Sequence, residues 1–179
     1  MRGTVQEAID IIVGSLKAGN KVITFGVGGN AANAIHFAAE LAGKYEAYET
    51  PLPCIDLCSN PSILTAITND FGWDQVFSRQ LQALSKPGDV VLAFSISTGG
   101  RYLLNAIFES VVQRCNVILI CGKCNLSELV EASRNSGSLV YEVGSLDTPR
   151  VQEEQLRLIH LICEGVKSRM VEYEKDKVS

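Results

Sequence analysis

The sequence predicts an α/β fold, a three-layer α-β-α sandwich around a five-stranded parallel sheet. Three observations predict it. Five short runs are rich in β-branched and other apolar residues. Those runs are apolar on both faces, as strands covered on both sides must be. Helical spacing fills the stretches between them, so strand and helix alternate along the chain.

The elements follow in order. Residues 5–16 place Val5, Ile9, Ile12, Val13 and Leu16 on one helical face. Residues 21–25 (KVITF) form the first strand, ending at Gly26, and 31–44 an Ala-rich helix. Residues 52–57 (LPCIDL) form a second strand, with helices over 62–68 and 73–84. The third strand is 89–94 (DVVLAF), followed by a helix over 101–114. Residues 116–121 (NVILIC) and 138–143 (SLVYEV) complete the sheet. A long helix over about 150–173 closes the chain, and the tail VEYEKDKVS reads as its solvated, fraying helix end. Trp73 and Phe77 are read as core or interface residues. Ligands of such sheets bind at the carboxyl ends of the strands, so the turns after Phe25, Leu57, Phe94 and Cys121 are the places to search.

Composition narrows the function classes. The 179 residues are 46% hydrophobic and 20% charged, enough for a full core. Mean hydropathy is +0.14, an excess of apolar surface that an oligomer interface would use. The net charge of −4 and pI near 5.2 argue against direct nucleic-acid binding. No apolar run spans a bilayer, and Glu7 and Asp10 interrupt the N-terminal apolar stretch, which excludes a signal-peptide core. The expectation is a cytoplasmic protein whose six cysteines are reduced. Cys121-Gly-Lys-Cys124 has CxxC spacing but no matching second pair, and reads as turn cysteines rather than a redox or zinc motif.

Two turns and one helix carry the candidate chemistry. After the first strand, Gly26, Gly28 and Gly29 permit a tight turn into a helix whose free N–H groups favour an anion, with Asn30 as candidate N-cap. A dinucleotide fingerprint would need Gly where Ala31 stands, and a plain structural turn is the other alternative. His36 and Glu40 lie one helical turn apart on a face lined by small residues. Such a pair can ligate a metal, act as acid and base, or form a surface ion pair. After the third strand, Ser97-Thr98-Gly99-Gly100-Arg101 offers hydroxyls, N–H groups and a guanidinium to a phosphate. On the last helix Gln152 and His160 stand two turns apart, where His160 alone reads as a core or interface histidine.

Together these segments resemble the sedoheptulose 7-phosphate isomerases (phosphoheptose isomerases) of the SIS-domain superfamily. The resemblance runs from about residue 17 to 170. It is carried by Gly28-Gly29 with HFAAEL, SILTAITNDFGWDQVFSRQ, PGDVVLAFSIST and TPRVQE with the following His160. It implies a single SIS-type domain over 1–179 and a homotetramer with active sites between subunits. It implies interconversion of sedoheptulose 7-phosphate and a heptose 7-phosphate, a step in making nucleotide-activated heptose for lipopolysaccharide. His36, Glu40, Gln152 and His160 match the family's zinc ligands, and Glu40 and His160 its acid–base pair. Gly28, Gly29, Asn30, Asn69, Asp70, Ser97, Thr98, Gly99, Arg101 and Gln152 are the substrate-binding positions expected from the resemblance and the loop chemistry.

The sequence departs from the family at its loops. The usual Gly-Asn-Gly-Gly-Ser turn is Gly26-Val27-Gly28-Gly29-Asn30, and the usual Ser-Thr-Ser-Gly-Asn-Ser loop is two residues shorter here, with Arg101 behind it. The chain also begins about one helix late. These changes touch substrate grip and leave the zinc quartet intact. An enzyme is therefore expected; the alternative is a non-catalytic SIS phosphosugar-binding, regulatory or assembly protein.

Overall fold

A computed structural model describes residues 3–44, 50–97, 100–123 and 138–178. Its first helix, α1 (Val5–Lys17), starts at a capping box in which the Thr4 hydroxyl accepts from Glu7 N–H and the Glu7 carboxylate accepts from Thr4 N–H. Then come β1 (Val22–Phe25), α2 (Gly29–Ala42), β2 (Cys54–Asp56), α3 (Pro61–Phe71), a 3₁₀ turn (Trp73–Gln75) and α4 (Ser78–Leu84). β3 (Val90–Ser95), α5 (Arg101–Val112), β4 (Asn116–Cys121), β5 (Leu139–Glu142) and α6 (Thr148–Val178) complete the described elements.

The sheet has five parallel strands in the order β2-β1-β3-β4-β5, as the apolar runs predict. Successive side chains point to opposite faces, and the two cores divide accordingly. Val22, Val90, Leu92, Phe94, Ile118 and Ile120 meet α1, α2 and α6 in one layer. Ile23, Phe25, Val91, Ala93, Val117 and Leu119 meet α4 and α5 in the other. The chain leaves β1 toward one edge and returns to β3 on the other side, so the strand order reverses between them. The crevice at the carboxyl ends of β1 and β3 is the fold's natural ligand site.

The opposite end of the sheet is pinned by Asp89. Fully buried, it accepts from Lys21 N–H at 3.0 Å, from Lys86 N–H at 2.8 Å and from Lys21 Nζ at 2.5 Å.

Several boundaries differ from the sequence expectation. Asn30 is not the N-cap of α2. Gly28 is, with φ +61, a conformation L side chains rarely adopt, and the helix therefore begins ahead of Asn30. The single helix expected over 73–84 is a 3₁₀ turn and a short α-helix, joined where Phe77 packs on Phe25 with ring centroids 4.6 Å apart. Phe77 is core as expected; Trp73 is 43% exposed and stands edge-on to Phe77 and Tyr102. α6 runs to Val178, past the expected boundary near residue 173, and its exposed last turns are the helix end expected of that tail; the Tyr173 ring carries Lys17 and Lys177 at 4.7 and 4.4 Å. Among the described residues no helix is long and apolar enough to cross a membrane.

Candidate active site

Three of the expected ligands converge between α2 and α6. Helical spacing brings Glu40 Oε1 to 2.9 Å from His36 Nε2 on α2. The tertiary contact with α6 brings His160 beside them, its ring edge-on to His36 at a centroid distance of 5.3 Å. One ligand atom from each of His36, Glu40 and His160 lies within 4.8 Å of the other two. All three side chains are partly exposed, so a ligand can reach them.

This donor set fits a metal ion. Two imidazoles and a carboxylate are the three-ligand pattern of catalytic zinc, which leaves a coordination position open. Bonds of about 2.0–2.2 Å around a tetrahedral ion put ligand atoms roughly 3.5 Å apart, a short rotamer adjustment from the separations seen.

Gln152, the fourth expected ligand, stands on the same helix pair, on α6 opposite the start of α2. Its amide covers Gly29: a Cβ on that glycine would sit 2.3 Å from Nε2 and 2.8 Å from Oε1. Gly29 precedes His36 by two turns of α2, so the Gln152 amide lies at the α2 N-terminus.

The remaining expected residues are distributed as follows. Gly28 and Gly29 are exposed at the start of α2, beside the crevice between β1 and β3. Asn30 is buried, and its Oδ1 has no hydrogen-bond partner. Ser97 is exposed after β3, where its carbonyl accepts from Ser95 Oγ, and Arg101 is exposed at the first position of α5. Thr98 and Gly99 fall outside the described residues, as does Cys124. Asn69 and Asp70 are exposed on α3, joined by a 2.8 Å bond from Asn69 Nδ2 to Asp70 Oδ1. α3 packs with the α4–α5 layer through Leu64, whereas α2 and α6 pack on the other face. Asn69 and Asp70 therefore sit on a helix of the layer opposite the one that carries the trio.

Two residues that the sequence reading missed join these parts. Gln155 is fully buried; its Nε2 donates to Ser95 O at 2.9 Å and to Ile120 O at 3.2 Å. Its Oε1 accepts from Asn33 Nδ2 at 3.1 Å, and the same Asn33 nitrogen reaches Gln152 O at 3.3 Å. The available signal was pattern: Gln155 falls on the stripe Val151, Leu158, Ile159, Ile162 that α6 buries. A polar residue on such a stripe must be satisfied inside the protein.

Comparison with known proteins shows the family. The SIS-domain family matches residues 2–122. The phosphoheptose isomerase of Campylobacter concisus is 42% identical over 165 residues, covering 92% of this chain and 84% of that protein. The chain belongs to the phosphoheptose isomerase family. The Geobacter sulfurreducens phosphoheptose isomerase is 36% identical over 170 residues, 95% of this chain and 87% of that one. The solved phosphoheptose isomerase of Neisseria gonorrhoeae superposes with a TM-score of 0.84 at 31% identity, over 92% of this chain and 85% of that one. The SIS-type sandwich read from the sequence is thus the fold of this isomerase family.

Two thiols near the first turn and the trio, Cys58 and Cys163, are not nucleophiles. Cys58 Sγ lies 3.4 Å from Gly26 O, and burial pushes its thiol up to about 11. Cys163, one turn beyond His160, is pushed up by burial and then by the charge of Glu40. Both stay protonated at neutral pH and offer no thiolate nucleophile.

Proposed function

We propose that this single SIS-type domain is a zinc-dependent aldose–ketose isomerase that interconverts sedoheptulose 7-phosphate and a heptose 7-phosphate. The observation that carries the reading is the convergence of His36, Glu40 and His160 from two helices in a chain of this family.

The chemistry follows from the residue types. A Glu40 oxygen takes a proton from C1 of the ketose; the electron pair left behind forms the C1–C2 double bond, and the C2 oxygen takes a proton from His160. The enediol then returns its O1 proton to His160, C1 becomes the carbonyl, and Glu40 delivers the carbon proton to C2. Zinc held by His36, Glu40 and His160 would supply a Lewis acid for the developing oxyanion. Gln152, Gly28 and Gly29 line the α2 N-terminus, whose dipole favours a phosphate and where the Gln152 amide can bond a sugar hydroxyl. Asn30 would contribute through the same turn. Ser97, Thr98, Gly99 and Arg101 would hold phosphate, the guanidinium offsetting hydroxyls lost from the shortened loop.

The working form in this reading is a cytoplasmic homotetramer. Its support is α3, which buries none of its residues within the chain. Ile63, Phe71 and Leu84 are exposed around a groove of about 310 Å³ that Asp70 also lines. A neighbouring copy seated there would carry Asn69 and Asp70 into an inter-subunit site. No nucleic acid or membrane enters the reading.

The test is turnover of sedoheptulose 7-phosphate with Zn²⁺. Loss of at least a thousandfold in kcat is expected for Glu40→Gln. Turnover undiminished in that variant would end the acid–base assignment. Absence of turnover in the unaltered chain would favour a non-catalytic phosphosugar-binding role, for which the altered Val27 and Ser97–Arg101 loops are the motivation.

A further inference from the structure

α2 and α6 meet in three successive contacts: Gly29 under Gln152, Asn33 on Gln155, and His36 against His160. The middle contact is polar, fully interior on the α6 side and anchored to the sheet. Both Gln155 amide hydrogens are used, on the Ser95 and Ile120 carbonyls, and its oxygen takes the Asn33 amide. Neither Gln155 nor Asn33 touches the expected reacting atoms.

Burying an amide costs free energy unless every hydrogen bond is made, and an apolar side chain would suit the stripe Val151, Leu158, Ile159, Ile162 without that cost. What the amide adds is registration. Apolar packing tolerates small slides of one helix on another. Two donors aimed at two fixed carbonyls do not: a slip of one residue moves α6 by about 1.5 Å and turns it by about 100°.

We infer that Gln155, with Asn33, is the positioning device that locks the His36 and His160 helices in register on the carboxyl ends of β3 and β4. Its consequence for turnover rests on the isomerase reading above; the histidine geometry does not. Ser95 opens the loop expected to hold phosphate, so the same residue sets both halves of the site against each other.

The chain has only two histidines, and their rings are 5.3 Å apart, which gives a readout free of metal and substrate. The full-length protein would be deuterated except for ¹³C-labelled histidine and studied by NMR without metal. The unaltered chain is expected to show a cross-peak between the His36 and His160 ring protons. Gln155→Met, close in shape and unable to hydrogen-bond the strands, is expected to lose at least fivefold of that intensity while the other amide resonances stay dispersed. Co²⁺ added alone should then bind about ten- to a hundredfold more weakly than to the unaltered chain, with an altered visible spectrum, as outer-shell losses do. With substrate, kcat should fall and KM hold within about twofold.

Asn33→Ala carries the same test if Gln155→Met does not fold, because it frees α2 while Gln155 stays on the strands. A cross-peak of unchanged intensity in a folded variant overturns the inference, and so does its absence from the unaltered chain. If the cross-peak behaves as expected but the unaltered chain binds no Co²⁺, the zinc reading falls and the positioning role stands.

Discussion

Gly29→Ala separates the stability of this fold from its chemistry. The added Cβ would begin 2.3 Å from Gln152 Nε2, 2.7 Å from Cδ and 2.8 Å from Oε1. Those atoms end a flexible side chain, so the amide yields rather than the backbone. Reaching ordinary contact at 3.4 Å requires a shift of about 1.1 Å. Gly29 is the first residue of α2 and does not have positive φ, so alanine fits the backbone and recovers up to about 1 kcal/mol of helix propensity. Thermal unfolding should therefore show Tm unchanged or raised by a few degrees. Misplacing a substrate-orienting group by about 1 Å can cost on the order of a hundredfold in rate. The assay is kcat/KM for sedoheptulose 7-phosphate with Zn²⁺, expected to fall ten- to a hundredfold. A folded variant within twofold of the unaltered enzyme would refute the role given to Gln152. A Tm lowered by ten degrees would refute the premise that the amide moves and the helix does not.

Other consequences are open to simpler measurements. Asp89→Asn removes a buried carboxylate from three donors at the far end of the sheet. It should cost about 3 kcal/mol, lowering Tm by roughly 6–12 °C, with kcat unchanged in the folded fraction. Chelation by EDTA should abolish turnover, and Zn²⁺ should restore it; turnover that survives complete metal removal would contradict the zinc reading. Alkaline stability should fall steeply. Burial raises the thiols of Cys54, Cys58 and Cys163 above their ordinary value near 9, so the folded state keeps protons the unfolded state has lost. Their contribution is fully present below pH 9 and declines as pH rises toward 11, by about 1.4 kcal/mol per thiol per pH unit. Urea unfolding under reducing conditions at pH 8, 9 and 10 measures the slope. Cys54→Ala should flatten it, and an unchanged slope would contradict the assignment.

The sheet was legible because a parallel strand covered on both faces carries apolar residues at every position, and Val90–Phe94 and Val117–Ile120 do so without a break. The start of α2 was not. Residue type favoured Asn30 as N-cap, but Gly28 can take a positive φ that asparagine adopts far less readily, and the turn closes ahead of Asn30. Asn30 is thereby carried into the interior with an unsatisfied carbonyl oxygen. The break after Gln75 was hidden for a related reason: Phe77 continues the helical apolar spacing on paper, while its packing on Phe25 is long-range.

The site divides along the same line between local and distant information. His36 and Glu40 share one turn of one helix, so spacing alone places them on a common face. His160 joins them from 120 residues further on, through the packing of α6 on α2, and no periodicity within either helix encodes that meeting. Gln155 lies deeper still: its meaning comes from two strand carbonyls and an asparagine on three other elements. Asn69 and Asp70 mark the limit of what one chain explains. They sit on a helix with no buried residue, in the layer opposite the trio, beside exposed Ile63 and Phe71. If they grip the same sugar that Glu40 deprotonates, they reach it from another copy, and the positive mean hydropathy becomes part of the catalytic argument. The apolar surface would then complete active sites as well as stabilise an assembly.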